Sequence, residues 1–159
     1  GASTGGFTDH LLQHGAEKVL ALDVGHNQLD WKLRSDKRVT VIEKCNFRLI
    51  TKETWQWDRD FTLAVIDVSF ISLGLILPPL AEIGHQGLDV VALVKPQFEA
   101  KKDQVGKGGI ITDPAIHAEV LTKVKALATS AGFTVQGTIA SPITGTEGNK
   151  EFFLWLKQN

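Results

Sequence analysis

Gly1-Ala2-Ser3-Thr4-Gly5-Gly6-Phe7 leads into a helical pattern from Thr8 to His14, with Leu11 and Leu12 on its inner face, and then into the strand-like run Lys18-Val19-Leu20-Ala21-Leu22-Asp23. Three glycines within this opening stretch let the backbone turn sharply and approach a ligand closely, because no Cβ stands in the way. A helix entered from such a loop presents free N–H groups, which suit a nucleotide or an anion. Asp23 ends its apolar run about 20 residues further on, where nucleotide folds place the acid that bonds ribose hydroxyls. A tight strand-to-helix connection needs glycine even when nothing binds there, so the loop alone does not decide. No Lys-Ser or Lys-Thr closes it, which argues against a Walker A cradle. Nor does it read G-x-G-x-x-G, which weakens a nicotinamide reading. A nucleoside cofactor held by its sugar and by backbone remains, and S-adenosylmethionine fits that description.

The chain is 159 residues long, enough for one domain with a real core, and its 43% apolar and 22% charged residues are ordinary for a globular protein. With 17 basic and 18 acidic residues the net charge is near zero, so any RNA affinity must come from a local patch or from another domain. The single Cys45 excludes an internal disulfide and a cysteine metal cluster, which favours a reducing, cytoplasmic setting. The longest apolar stretch, Phe70 to Leu80, is too short to span a bilayer and is broken by Pro78-Pro79.

Outward from the loop, strand-like and helix-like segments alternate. His26 to Arg34 carries Leu29 and Leu33 at helical spacing, and Val39-Thr40-Val41-Ile42-Glu43 reads as a strand. Leu63-Ala64-Val65-Ile66-Asp67 and Asp89-Val90-Val91-Ala92-Leu93-Val94 are continuous apolar runs, as expected of parallel strands buried on both faces. Between them Ile71 to Ile83 reads as an apolar helix interrupted at Pro78-Pro79. Asp113-Pro114 opens the longest helix, with Ile116, Val120, Val124 and Leu127 on one face up to Ala131-Gly132. Phe133 to Ala140 and Glu151 to Leu156 are two β-rich runs joined by the turn-rich Ser141 to Asn149, too short for a parallel crossover. The expected fold is α/β: a doubly wound, mostly parallel, Rossmann-like sheet with helices on both faces and the last strand antiparallel, as in class I S-adenosylmethionine-dependent methyltransferases. A glycine turn of this kind follows a strand, so the first central strand is expected upstream of Gly1 and the chain is read as a fragment of a longer protein.

Ligands of open α/β sheets gather beyond the carboxyl ends of the strands. Asp23, Asp67 in Ile66-Asp67-Val68-Ser69-Phe70, Lys95 in Leu93-Val94-Lys95-Pro96-Gln97-Phe98, and Glu151 in Gly148-Asn149-Lys150-Glu151-Phe152-Phe153 all fall there. Singly, Lys95 could be a snorkelling strand end and Asp67 a helix cap, but together they suggest one reaction cavity beside the opening loop. Pro96 to Thr112 is the longest irregular stretch, with Lys101, Lys102 and Lys107 among Gly106, Gly108 and Gly109. It reads as a solvated loop whose charge Glu99 and Asp103 dilute, or as a guide for an RNA backbone. Trp31, Trp55 and Trp57 are expected to pack rather than to stack on bases.

These motifs, together with Val105-Gly106-Lys107-Gly108-Gly109 and Ser141-Pro142-Ile143-Thr144-Gly145, resemble the haemolysin A (TlyA) family, whose catalytic domain is similar to the FtsJ-type ribose methyltransferases. The resemblance spans almost the whole chain, 1–159, read as one FtsJ-like methyltransferase domain without the family's small RNA-binding domain. It implies S-adenosylmethionine-dependent methylation of a ribose 2′-hydroxyl in ribosomal RNA. Of the family's Lys-Asp-Lys-Glu tetrad it places the last three members on Asp67, Lys95 and Glu151, with the first lysine expected upstream of Gly1. Asp67 and Glu151 are expected to orient Lys95. Gly1, Ser3, Thr4, Gly5 and Gly6 are expected to hold the methionine part of the cofactor, Asp23 its ribose, Asn46 its adenine, with Asp67 also alongside. A nicotinamide-dependent oxidoreductase is the alternative that shares the glycine turn and Asp23. A membrane-lytic haemolysin is a third, and it would need an amphipathic or spanning segment.

Overall fold

The computed structural model describes residues 1–57 and 60–159, which divide into two compact units, Gly1–Ile50 and Thr51–Asn159. In the first, helix α1 (Gly6–Gln13) leads to strand β1 (Val19–Leu22), helix α2 (Trp31–Arg34) and strand β2 (Val39–Ile42). β1 and β2 pair in parallel, from Val19 opposite Val39 to Leu22 opposite Ile42. Leu12, Val19, Ala21, Leu29 and Leu33 form the core of this unit. The helix expected from His26 is only the single turn 31–34. Asp30 starts it, its side chain accepting the Lys32 N–H, and residues 26–29 form bends ahead of it. Arg38 closes the turn into β2 on Asp36, and this hydrogen bond holds the Asp36 carboxyl down at about 2.

The second unit contains β3 (Leu63–Ile66), α3 (Leu77–Ile83), β4 (Asp89–Val94), α4 (Pro96–Glu99), α5 (Pro114–Ser130), β5 (Phe133–Ala140) and β6 (Phe152–Gln158). Its sheet runs β3-β4-β6-β5. β3 and β4 are parallel, and β6 lies antiparallel to both β4 and β5, as the short final connection predicts. Pro78 and Pro79 do not interrupt a helix. They sit in the first turn of α3, where a missing N–H costs nothing, behind a 3₁₀ turn at Leu73–Leu75. The buried stripe of α5 is His117, Val120, Val124 and Ala128, so the expected Ile116 and Leu127 flank the seam rather than form it.

Burial on both faces, expected of β4, holds at its carboxyl end, where Ala92, Leu93 and Val94 are buried, and weakens at its start, where Asp89 and Val91 are half-buried. Val90, Ala92 and Val94, with Leu154 and Leu156 of β6, have no exposed surface. On the other face Trp155 is 49% and Ile139 66% exposed. Alternate residues of a strand face opposite ways, and the sequence run does not say whether both sides are covered.

His85, after α3, makes a pH-dependent staple. Its two ring nitrogens lie 2.9 Å from the carbonyl oxygens of Gln86 and Phe61. Both acceptors are satisfied together only when both nitrogens carry hydrogen, so first the Gln86 and then the Phe61 carbonyl raise its pKa above 6.5. A raised folded pKa gives stability that is complete below the unfolded value and lost as pH rises through the folded one. Melting temperature should therefore fall on going from mildly acid to mildly alkaline buffer, and His85→Gln should flatten that slope. An unchanged slope in the variant would remove His85 from the account.

Candidate active site

The expected site residues form two clusters, one in each unit. In the first, the Ala2 N–H donates to the Leu22 carbonyl at 3.0 Å, which fixes the loop to the end of β1. Ser3 has φ +50°, an unusual left-handed conformation for a residue with a side chain, and its N–H donates to Asp23 Oδ2 at 2.8 Å. Asp23 Oδ1 accepts the Gly25 N–H at 2.7 Å. Burial pushes the Asp23 carboxyl up, but the N–H groups of Ser3 and Gly25 outweigh it and leave the pKa below the ordinary value. Asp23 thus has a role that the sequence did not disclose: it organises the glycine loop.

Thr4 contributes its carbonyl to the Asp30 N–H at 3.0 Å. Gly5 is buried at φ +109°, and a Cβ there would stand 2.2 Å from Leu33 Cδ1. Gly6 differs, because it is exposed and a Cβ on it would meet nothing within 4 Å. It starts α1, which has no side-chain cap. A bare Cα open to solvent at a helix start and a carboxylate tied to the same loop fit what a nucleoside with an amino-acid tail requires. Asn46 serves the chain itself, since its Oδ1 accepts the N–H and Nε–H of Arg48 and caps a 3₁₀ turn at Phe47–Leu49. Sequence reasoning passed over Glu43 at the end of β2. Its Oε1 takes a short hydrogen bond from Arg34 and one from the Asn27 N–H at 2.8 Å, and Arg34 first among them lowers its pKa.

The second cluster follows from strand direction. Ile66 ends β3 opposite Ala92 and β4 runs on to Val94, so the parallel strands release Asp67 and Lys95 at the same edge of the sheet. β6 runs the other way with Phe152 opposite Val94, which brings Glu151 to the same edge. Lys95 Nζ lies 2.6 Å from Asp67 Oδ1 and 3.1 Å from Ser69 Oγ. The contact with Asp67 lacks hydrogen-bond alignment, so it is held by charge. Lys95 is only 14% exposed, which screens that attraction far less than at an open surface.

Glu151 departs from the expectation that it orients Lys95. Among the described residues Lys95 forms an ion pair with Asp67 alone, and Glu151, 7% exposed, faces Gln97 Nε2 at 3.5 Å. A Cβ on Gly145 would lie 2.1 Å from Glu151 Oε1, so that glycine makes room for the carboxylate.

Phe70 also went unnoticed in the sequence. It is 90% exposed at φ +62°, and its ring centre lies 4.9 Å from that of Phe98. Nothing in the composition of Val68-Ser69-Phe70 distinguishes an exposed ring from a core one. Glu99, read as a solvated charge, is buried instead. It accepts from Ser72 Oγ at 2.7 Å and the Leu73 N–H at 2.6 Å.

Lys101, Lys102 and Lys107 are exposed, and among the described residues only Lys101 forms an ion pair, with Glu119 at 3.8 Å. Their loop carries 3₁₀ turns at Lys102–Gln104 and Lys107–Gly109, so the stretch after Pro96 is less irregular than expected. Trp55 packs edge-on to Phe61, whereas Trp31 is 76% exposed, contrary to its expected packing. Among the described residues no three His, Cys, Asp or Glu side chains gather as a metal site, and no helix is long and apolar enough to cross a membrane.

The profile of the FtsJ-like methyltransferase family matches residues 1–158. The 16S/23S rRNA (cytidine-2′-O)-methyltransferase TlyA of Mycobacterium tuberculosis is 48% identical over 157 residues, covering 99% of this chain and 58% of that protein. A solved protein from Lactococcus lactis, named only provisionally as a hemolysin, is 53% identical with a TM-score of 0.95, over 100% of this chain and 76% of its own. The S-adenosylmethionine-dependent methyltransferase of Mesorhizobium loti, 14% identical with a TM-score of 0.65 over 100% of this chain and 88% of its own, shares the fold. The chain spans 55–58% of the length of two of the curated relatives it matches.

Proposed function

Because the chain belongs to the FtsJ-like methyltransferase family, we propose that it transfers a methyl group from S-adenosylmethionine to a ribose 2′-hydroxyl of ribosomal RNA. The observation that carries this reading is the shielded Lys95–Asp67 pair at the ends of two adjacent parallel strands. Residues 1–159 act as the methyltransferase domain. The protein works in the cytoplasm, where ribosomal RNA is found.

S-adenosylmethionine supplies an electrophilic methyl carbon when bound. The first unit holds it: the loop from Gly1 through Ser3, Thr4 and Gly5 to Gly6 takes the amino-acid end, Asp23 the ribose, and the chain around Asn46 the adenine. In the second unit Lys95 fixes the substrate hydroxyl oxygen by an N–H and, in its amine form, takes the proton. Asp67 keeps the Lys95 side chain in one direction. Glu151 acts through Gln97 rather than on Lys95. The Phe70 ring offers a stacking surface to a nucleobase, and Lys101, Lys102 and Lys107 face the RNA phosphates.

Ligand-dependent melting separates this reading from the oxidoreductase alternative. S-adenosylhomocysteine should raise the melting temperature, less so in Asp23→Ala, and NAD should leave it unchanged. Protection by NAD alone would overturn the reading.

A further inference from the structure

Asn149 belongs to no reaction step described above, yet it is 4% exposed and its side chain is bonded at both ends. Its Oδ1 accepts the Ile111 N–H at 3.0 Å and its Nδ2 donates to the Gly109 carbonyl at 2.9 Å. Ile111 is itself buried, and its carbonyl meets Nε2 of the buried His117 on α5 at 3.1 Å. The amide therefore grips the root of the lysine-bearing loop just after Lys107. On the other side, the Asn149 carbonyl accepts the Gly145 N–H at 2.8 Å. Gly145 is the residue whose bare Cα leaves room for the Glu151 carboxylate. The Ser141 N–H, donated to the Glu151 carbonyl at 2.8 Å, closes the same turn. The side-chain amide suits this place, because it offers an N–H donor and a carbonyl acceptor in one compact neutral group.

We propose that Asn149 is a positioning residue that couples the Lys101–Lys107 loop to Glu151, so that seating RNA on that loop sets the Glu151 turn for reaction. This deepens the reading above and rests on it. Asn149 need not touch the RNA, and the coupling runs through two hydrogen-bonded segments that meet at one buried residue, whose side chain holds Gly109 and Ile111 and whose main-chain carbonyl holds Gly145.

A double-mutant cycle tests it. Lys107→Ala should weaken RNA binding and also lower kcat. Asn149→Ala should lower kcat roughly tenfold with unchanged affinity for S-adenosylhomocysteine, and the double variant should lose no further kcat. Additive losses in kcat would overturn the coupling. Amide hydrogen exchange gives a readout independent of activity. In Asn149→Ala the Ser141 and Gly145 amides should exchange faster together with Ile111, and acceleration at Ile111 alone would refute the link. Should Asn149→Ala not fold, Asn149→Asp keeps the acceptor for Ile111 and loses the donor to Gly109, and the same amides are followed. A wild-type protein without activity on RNA would remove the functional reading, while the exchange result still decides whether the two segments are coupled.

Discussion

Lys95→Ala cuts methyl transfer by a factor of about 10²–10⁴, the range in which positioned acid–base groups contribute, while S-adenosylhomocysteine binds as before. Lys95 holds the hydroxyl oxygen, and its own position depends on Asp67 at 2.6 Å and Ser69 at 3.1 Å. Removing the amine leaves the partly shielded Asp67 carboxylate without its counter-charge, so Asp67→Ala should also lose activity, though less, because Ser69 still restrains the lysine. Single-turnover rates at saturating cofactor are the measurement. A Lys95→Ala variant with wild-type turnover would take Lys95 out of the mechanism.

Gly5→Ala has the largest expected effect on stability. At φ +109° a side chain is strained by about 1–3 kcal/mol. Its Cβ would also lie 2.2 Å from Leu33 Cδ1 and 2.8 Å from Leu29 Cδ1, two core side chains, an overpacking that adds about 1–3 kcal/mol. The sum of about 2–6 kcal/mol is a large share of a typical domain's stability, and urea unfolding should show a much lower midpoint. Gly6→Ala is the contrasting case. Nothing lies within 4 Å of its Cβ and its φ is ordinary, so the midpoint should hold while cofactor affinity falls, because the added methyl occupies the mouth of the loop. If the two substitutions had equal effects on stability, the assignment of Gly5 to the fold and Gly6 to the ligand would fail.

The contrast between these two glycines indicates what the sequence could and could not reveal. The doublet Gly5-Gly6 is visible in the chain, but the division of labour depends on Leu29 and Leu33, more than twenty residues away, closing over one glycine and leaving the other open. Strands were legible because runs such as 90–94 are apolar without a break, and the antiparallel ending because Ser141 to Asn149 is too short to cross over. The edge shared by Asp67, Lys95 and Glu151 followed from strand direction alone.

Partner choice within that edge was not legible. Which carboxylate meets Lys95 depends on side-chain reach and on Gly145 admitting the Glu151 carboxylate, and neither is encoded in the spacing. Glu99 was misread for a related reason. A charged residue in a lysine-rich loop reads as solvated, and only the tertiary arrangement turns it toward the Ser72 hydroxyl and the Leu73 amide. Phe70 was missed because exposure and a left-handed backbone are properties of the folded loop, not of the residue type.

The most direct test is to incubate the protein with ribosomal subunits and S-adenosylmethionine tritiated in its methyl group, digest the RNA to nucleosides and locate the label. The account predicts tritium in a ribose 2′-O-methylated nucleoside, and none when Lys95→Ala replaces the wild type. Label on a base, or equal labelling by the Lys95→Ala variant, would contradict it.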